Sequence, residues 1–304
     1  MTSSVEPGSV EPNSAEPSSA VPKARFYESQ GLRLHYADWG NATAPPLVLL
    51  HGGRDHCRSW DWIARALQPH FHVMAADLRG HGDSDWAKGS SYSLSDHVYD
   101  LTRMVSACDI DRMTLIGHSY GGMIAMAYAG TYPDKVSRLA IVDGAFLPRP
   151  PAAAIDQQMQ RWIGDLDKLS ASKARRYRTV EEAAERMSAK NKRLTSEQAH
   201  HLARYAVREN ADGSFSWKYD PIQRVSAPYR LSGDDYVALW SRITCPTLFL
   251  CGSESFVPDP KRAGIFPHFK QAEQQIIAGA AHWVQHDKLD EVLAALRSFL
   301  GISR

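Results

Sequence analysis

Leu47-Val48-Leu49-Leu50 is an unbroken apolar run directly after Pro45-Pro46. A short run of that kind marks a strand buried on both faces, which demands helices above and below it. The chain supplies them by alternation. A Trp/Ile/Leu-periodic helix is predicted at about 59–67, then a strand at His72–Asp77, a helix at Ser95–Cys108, a strand at Met113–Ile116, a helix at Tyr120–Thr131 and a strand at Val136–Val142. Such alternation implies a parallel sheet with helices on both faces, an α/β fold. Ahead of it, Arg25–Ser29 and Leu32–Asp38 alternate apolar and polar residues around Gln30-Gly31 and read as a hairpin.

The alternation stops after the sixth strand and resumes late. Residues 148–241 are mainly helical in pattern: Thr179 precedes a Glu-rich first turn, and Thr195-Ser196-Glu197-Gln198 matches a capping box. Asp212-Gly213, between Val207 and Trp217, marks a turn or short hairpin. Strands return at Thr247–Cys251 and Gln274–Ile277, and an amphipathic helix runs from about Asp287 to Leu300. Residues 23–147 and 242–304 are therefore one core, because neither flank holds a whole sheet, and 148–241 is a helical cap inserted after strand six. Its mild basic excess is assigned to the solvated faces of its helices. Positions 1–22 carry Ser4-Val5-Glu6-Pro7, Ser9-Val10-Glu11-Pro12 and Ser14-Ala15-Glu16-Pro17 with no aromatic residue. Such a segment cannot bury enough surface to offset its ordering entropy and is predicted to be a disordered tail.

Charge excludes some partners. The 304 residues hold 35 Lys and Arg against 34 Asp and Glu, without the basic surplus of a nucleic-acid binder. No stretch approaches the roughly 20 apolar residues of a membrane helix. The 4 cysteines show no C-x-x-C spacing and read as reduced thiols of a cytoplasmic protein. The expected partner is a small-molecule substrate, with neither nucleic acid nor membrane, and the oligomeric state is left open.

Chemistry concentrates at three places. Gly117-His118-Ser119-Tyr120-Gly121 sits between a predicted strand and a predicted helix. A serine there stands on a strained turn at the positive end of its helix, and glycines two before and two after it let the backbone cross closely. His51-Gly52-Gly53 ends the buried strand, where the N–H of Gly53 can pair with that of Tyr120 around an oxyanion. A serine hydroxyl also needs a general base. Of the 13 histidines, His282 is the candidate by location, after the last strand and just before the final helix, with His286 a bystander.

Together with Asp77-Leu78-Arg79-Gly80-His81-Gly82 and Tyr132-Pro133-Asp134-Lys135-Val136, these elements resemble the α/β-hydrolase superfamily over nearly all of residues 24–304. The resemblance implies an eight-stranded, mostly parallel sheet, a helical cap, the chain order Ser…acid…His, and no metal or organic cofactor. Many members carry the acid three residues after the glycine that ends the seventh strand. Here that glycine is Gly252 and the position is Ser255. Asp143, closing the sixth strand as in some lactonases, esterases and haloalkane dehalogenases, is the favoured acid, and Glu254 is the alternative.

A serine nucleophile excludes the ester chemistry of an aspartate nucleophile, and Gly53 and Tyr120 stand where those dehalogenases hold halide. The expected reaction is hydrolysis of a small to medium carboxylic ester or lactone through an acyl-enzyme. C–C bond hydrolysis of a diketone-like compound, and slow-turnover small-molecule reception on the same fold, are the alternatives. Arg54, Trp60, Phe146, Trp162 and Trp283 are expected to line the substrate pocket. Arg54 follows the oxyanion glycine and is suited to pair with a substrate carboxylate.

Overall fold

A computed structural model describes residues 21–89, 92–146, 154–172, 174–225 and 230–302. The repeats of the tail and the start of the inserted region, 147–153, lie outside them. β1 (Lys23–Ser29) and β2 (Leu32–Asp38) form the predicted hairpin. β3 (Pro46–Leu50), α1 (Asp61–Leu67), β4 (His72–Ala76), α2 (Leu94–Ala107), β5 (Met113–His118), α3 (Tyr120–Thr131) and β6 (Val136–Val142) follow in alternation. The inserted region holds α4 (Ile155–Ala171), α5 (Val180–Lys190), α6 (Ser196–Ala206), a small hairpin of β7 (Val207–Glu209) and β8 (Phe215–Trp217), and α7 (Gly233–Trp240). β9 (Thr247–Gly252), β10 (Ala272–Ile277), α8 (Val284–Asp287) and α9 (Leu289–Leu300) complete the chain.

Eight strands form one sheet in the order β1-β2-β4-β3-β5-β6-β9-β10. Only the β1–β2 and β2–β4 pairs are antiparallel. β6 pairs directly with β9, with Val142 opposite Leu250, so the inserted region leaves and re-enters between neighbouring strands. Every residue of β5 is buried, as a central strand covered on both faces requires. One face packs Leu101, Met104, Ile124 and Trp240; the other packs Trp60, Ile63, Leu67, Val292 and Leu296. Helix starts are fixed locally. Ser93 and Thr195 make full capping boxes with Asp96 and Gln198, and the Thr179 side chain accepts from Glu182 N.

Three details differ from expectation, each for a local reason. β5 runs on to His118, which puts residue 119 directly at its end. The last predicted helix begins at Leu289, and the short α8 precedes it, parted from it at Lys288 (φ −145°, ψ 61°), where the Asp287 carboxylate turns back to accept the N–H of Ala281 at 2.9 Å. Trp60 is a correction to the expected pocket. It is completely buried and belongs to the core layer that holds Ile63, Leu67 and Leu296.

Parallel strands bring the carboxyl ends of β5, β6, β9 and β10 to one edge of the sheet, where the loops after them meet. That edge depends on the packing beneath it. Leu296 of α9 is fully buried in the second core layer. Leu296→Ala is expected to cost about 2–5 kcal/mol of unfolding free energy, read from the shift of a urea denaturation midpoint.

Candidate active site

Ser119 is the single residue between β5 and α3, and it turns the chain with φ 52° and ψ −119°. A side-chain-bearing residue in that region carries about 1–3 kcal/mol of strain. The turn is held by Ser119 N–H donating to Val142 O at 3.0 Å and by its carbonyl accepting from Gly122 and Met123. The flanking glycines are steric requirements. A Cβ on Gly117 would lie 2.3 Å from Gly121 O, and one on Gly121 would lie 2.4 Å from Leu50 O. Gly144, which sequence reasoning passed over, is equally confined: its Cβ would sit 2.5 Å from Ser119 O.

His282 comes from the loop after β10. Its Nε2 lies 2.9 Å from Ser119 Oγ and its Nδ1 lies 2.7 Å from Asp143 Oδ2. Asp143 follows the last residue of β6 at φ 48°, and its own N–H donates to Leu250 O, which ties it to β9. Its carboxylate is buried and also accepts from Gly252 N at 3.2 Å and from the Ser255 hydroxyl. Ser255, at the position where the common pattern puts the acid, thus braces a carboxylate arriving from another strand. Glu254 pairs instead with Arg193 of the inserted region and does not reach His282. With Nδ1–H given to Asp143, the Nε2 lone pair faces the serine, the arrangement that lets an imidazole take a hydroxyl proton.

His118 adds support from below. Its Nε2 donates to the carbonyl of His282 at 2.9 Å, and burial, with neighbouring His282 second, holds its pKa far below the usual imidazole value. It stays a neutral strut.

The loop Gly52-Gly53-Arg54 faces Ser119 across a narrow gap. A Cβ on Gly52 would lie 3.1 Å from Ser119 Cβ. Two further neutral histidines pin this loop. His51 donates from Nδ1 to Gly52 O and accepts Leu78 N–H on Nε2; His81 donates to Arg79 O and accepts Arg54 N–H. Burial first of all pushes their pKa values down, to about 3 for His51 and about 4 for His81. The N–H groups of Gly53 and Tyr120 donate to no other described residue. Arg54, at φ 62°, is exposed and pairs with no described carboxylate.

His35, Cys57 and Asp77 put ligand atoms within 4.8 Å of one another. The Asp77 oxygens are already engaged by Cys57 N, His35 Nδ1 and Asp83 N, and burial above all pushes the Cys57 thiol pKa well up. That cluster is a hydrogen-bonded footing for the loop rather than a metal centre.

The remaining expected pocket residues are dispersed. Trp283 is half-buried, edge-on to His282 with centroids 5.5 Å apart. Phe146 is half-buried against the α2–α3 core layer, and Trp162 lies half-exposed on α4; neither makes a ring contact with a site side chain. Phe256, unremarked in the sequence, lies with its ring centroid 4.5 Å from that of His282. No periodicity marks such a residue, which belongs to a loop. A separate cavity of about 370 Å³ opens between α1 and α6, lined by residues including Asp61, Trp62, His201 and Tyr205. None of the side chains around Ser119 borders it.

The inserted region grips the loop that carries His282. Asn191 Nδ2 donates to Asp287 Oδ1 at 3.1 Å, while Asp287 Oδ2 holds Ala281 N–H, and Gln198 Nε2 donates to His286 O at 3.0 Å. From the core side, His56 Nε2 meets the carbonyl of Leu202 at 3.0 Å.

Comparison with known proteins agrees with this architecture. The family model for the alpha/beta hydrolase fold matches residues 45–289. Esterase YbfF of Escherichia coli K12 is 28% identical over 258 residues, covering 84% of this chain and 93% of its own length. Epoxide hydrolase 4 of Mus musculus is 26% identical over 289 residues, covering 90% of this chain and 77% of its own. A hypothetical protein from Pseudomonas aeruginosa PAO1, solved as a crystal structure, superposes with a TM-score of 0.82 at 22% identity, covering 91% of this chain and 99% of its own.

The neutral histidines have a consequence for acid stability. An unfolded imidazole binds a proton near pH 6.5, whereas folded His51, His81 and His286 resist it down to about 3 or 4. Between those limits the unfolded state binds more protons, so stability is intact above pH 6.5 and falls as pH drops through the window. The unfolding free energy measured by urea titration is expected to decline from pH 7 to pH 4. His81→Gln, which keeps an acceptor for Arg54 N–H, is expected to flatten that decline.

Proposed function

This chain belongs to the α/β-hydrolase family, and on that premise we propose that it is a serine hydrolase cleaving a small to medium carboxylic ester or lactone through an acyl-enzyme. One observation carries the reading: a single imidazole lies within hydrogen-bond reach of a strained serine on one nitrogen and of a buried carboxylate on the other. Similarity to an esterase across most of both chains supports the bond type.

Ser119 Oγ attacks the carbonyl carbon as His282 Nε2 takes its proton. The imidazolium is steadied by Asp143, which keeps the ring in the orientation the second transfer needs. The carbonyl oxygen, now an anion, accepts from the N–H groups of Gly53 and Tyr120, which bond to no other described residue and need no rearrangement to receive it. His282 returns the proton to the leaving oxygen, and the acyl-enzyme is then cleaved by a water that the same imidazole deprotonates. No cofactor enters any of these steps.

The epoxide-hydrolase relative raises a second chemistry, in which a nucleophilic carboxylate opens the ring and is left as an ester. Residue 119 offers a hydroxyl, and the carboxylate of Asp143 lies behind the imidazole, out of line for attack. The residues around Ser119 favour acyl transfer.

A fluorophosphonate probe is expected to label the wild type and leave Ser119→Ala unlabelled; a folded wild type that stays unlabelled overturns the reading. Across nitrophenyl esters of varied chain length, with lactones and a diketone in the same panel, ester or lactone turnover is expected to exceed C–C cleavage. Asp143→Asn is expected to lower kcat by roughly 10³–10⁴, whereas Glu254→Gln leaves it nearly unchanged. The reverse pattern would assign the acid to Glu254.

A further inference from the structure

Phe256 sits in the loop after β9, next to Ser255, whose hydroxyl is bonded to Asp143. The residue is 72% exposed, its ring centroid lies 4.5 Å from that of His282, and the two planes are inclined at 44°. The backbone beside it is anchored: Val257 is buried and its N–H donates to Ser255 Oγ at 3.0 Å. The phenyl ring thus lies beside the imidazole, on an anchored stretch of backbone, with most of its surface in water. An apolar ring left this bare beside a general base gains free energy when an apolar group covers it.

Resting on the serine-hydrolase reading, the chemistry at Ser119 defines which part of a substrate reaches that ring. Three substituents surround the carbonyl carbon under attack. Its oxygen turns to the N–H groups of Gly53 and Tyr120. The leaving oxygen must come within about 3 Å of His282 Nε2 to receive the proton taken from Ser119. The acyl chain takes the remaining direction. As the bond from Ser119 Oγ to carbon forms and the bond from carbon to the alcohol oxygen breaks, whatever the alcohol carries extends alongside the imidazole and onto Phe256. Glu254, two residues before Phe256, has its charge paired with Arg193 and offers no free anion to a polar alcohol. We infer that Phe256 is a specificity-determining wall for the leaving group, and that the substrates are esters of apolar alcohols, alkyl chains of several carbons or benzylic groups.

The test compares wild type, Phe256→Ala and Phe256→Trp by kcat/KM on the acetates of methanol, hexanol and benzyl alcohol, with methyl butyrate and methyl hexanoate as acyl controls. Phe256→Ala is expected to lose about tenfold on hexyl and benzyl acetate, and less than about twofold on methyl acetate and both acyl controls. Phe256→Trp is expected to keep the preference for the larger alcohols. Equal losses on all five esters, or no loss on any, overturn the inference. Fluorophosphonate labelling run in parallel separates the two levels. Wild type that labels at Ser119 yet shows no alcohol-dependent effect of Phe256→Ala removes this inference alone. Wild type that neither labels nor turns over any ester removes the serine-hydrolase reading and the inference with it.

Discussion

The carboxylate of Asp143 is the junction on which the site depends. It is buried at the end of β6 and receives three donors from two segments: Gly252 N and the Ser255 hydroxyl from the end of β9 and the turn beyond it, and His282 Nδ1 from the loop after β10. The contacts bridge two pieces of chain, so the carboxylate does more than orient an imidazole. It adds to the bonds from Glu254 N–H to Ala280 O and from Gly279 N–H to Ser253 Oγ that hold the two loops together. The serine turn is braced from the same strand, since Ser119 N–H donates to Val142 O, one residue before Asp143. Hydroxyl, imidazole and carboxylate are consequently referenced to one strand end, and the strained backbone at 119 and the positive φ at 143 are the local costs of that arrangement.

A second set of constraints is electrically silent. His51, His81 and His118 are buried, depressed in pKa, and each joins a ring nitrogen to a backbone group of the loops around Ser119. A lysine or a carboxylate at these places would bring a charge beside Ser119, where the proposed reaction develops an oxyanion. A neutral imidazole supplies a donor and an acceptor on opposite edges of one rigid ring, which suits a loop that must be pinned at both ends.

Much of this was legible in the residues alone, and the exceptions have physical reasons. Unbroken apolar runs such as Leu47–Leu50 and the capping box at Thr195 are local signals, and the sheet and α6 follow them closely. Ser119 and His282 could be singled out because one lies in a glycine-framed turn and the other between the last strand and the closing helices. The choice between Asp143 and Glu254 was open, because both sit at carboxyl ends of what prove to be adjacent strands. Which of them faces His282 depends on the register that sets Val142 opposite Leu250 and on Arg193 engaging Glu254, both non-local facts. Trp60 looked like a pocket residue from its nearness to the glycine loop, but the 3-10 turn Cys57–Trp60 rotates it under the sheet. Phe256 gave no signal, since a lone aromatic in a loop takes its meaning only from the ring it faces.

Asp287 is a core residue whose hydrogen bonding is completed from outside the core: one oxygen holds Ala281 N–H, and the other waits on the amide of Asn191, 96 positions earlier. The inserted region is therefore no interchangeable module. Transplanting a helical segment from a relative would strand a desolvated oxygen unless the donor brought an amide to the same spot, and the shortfall would be felt five residues away, at the imidazole. Exchange of that region is thus bounded by a hydrogen bond as well as by the steric fit between the two layers.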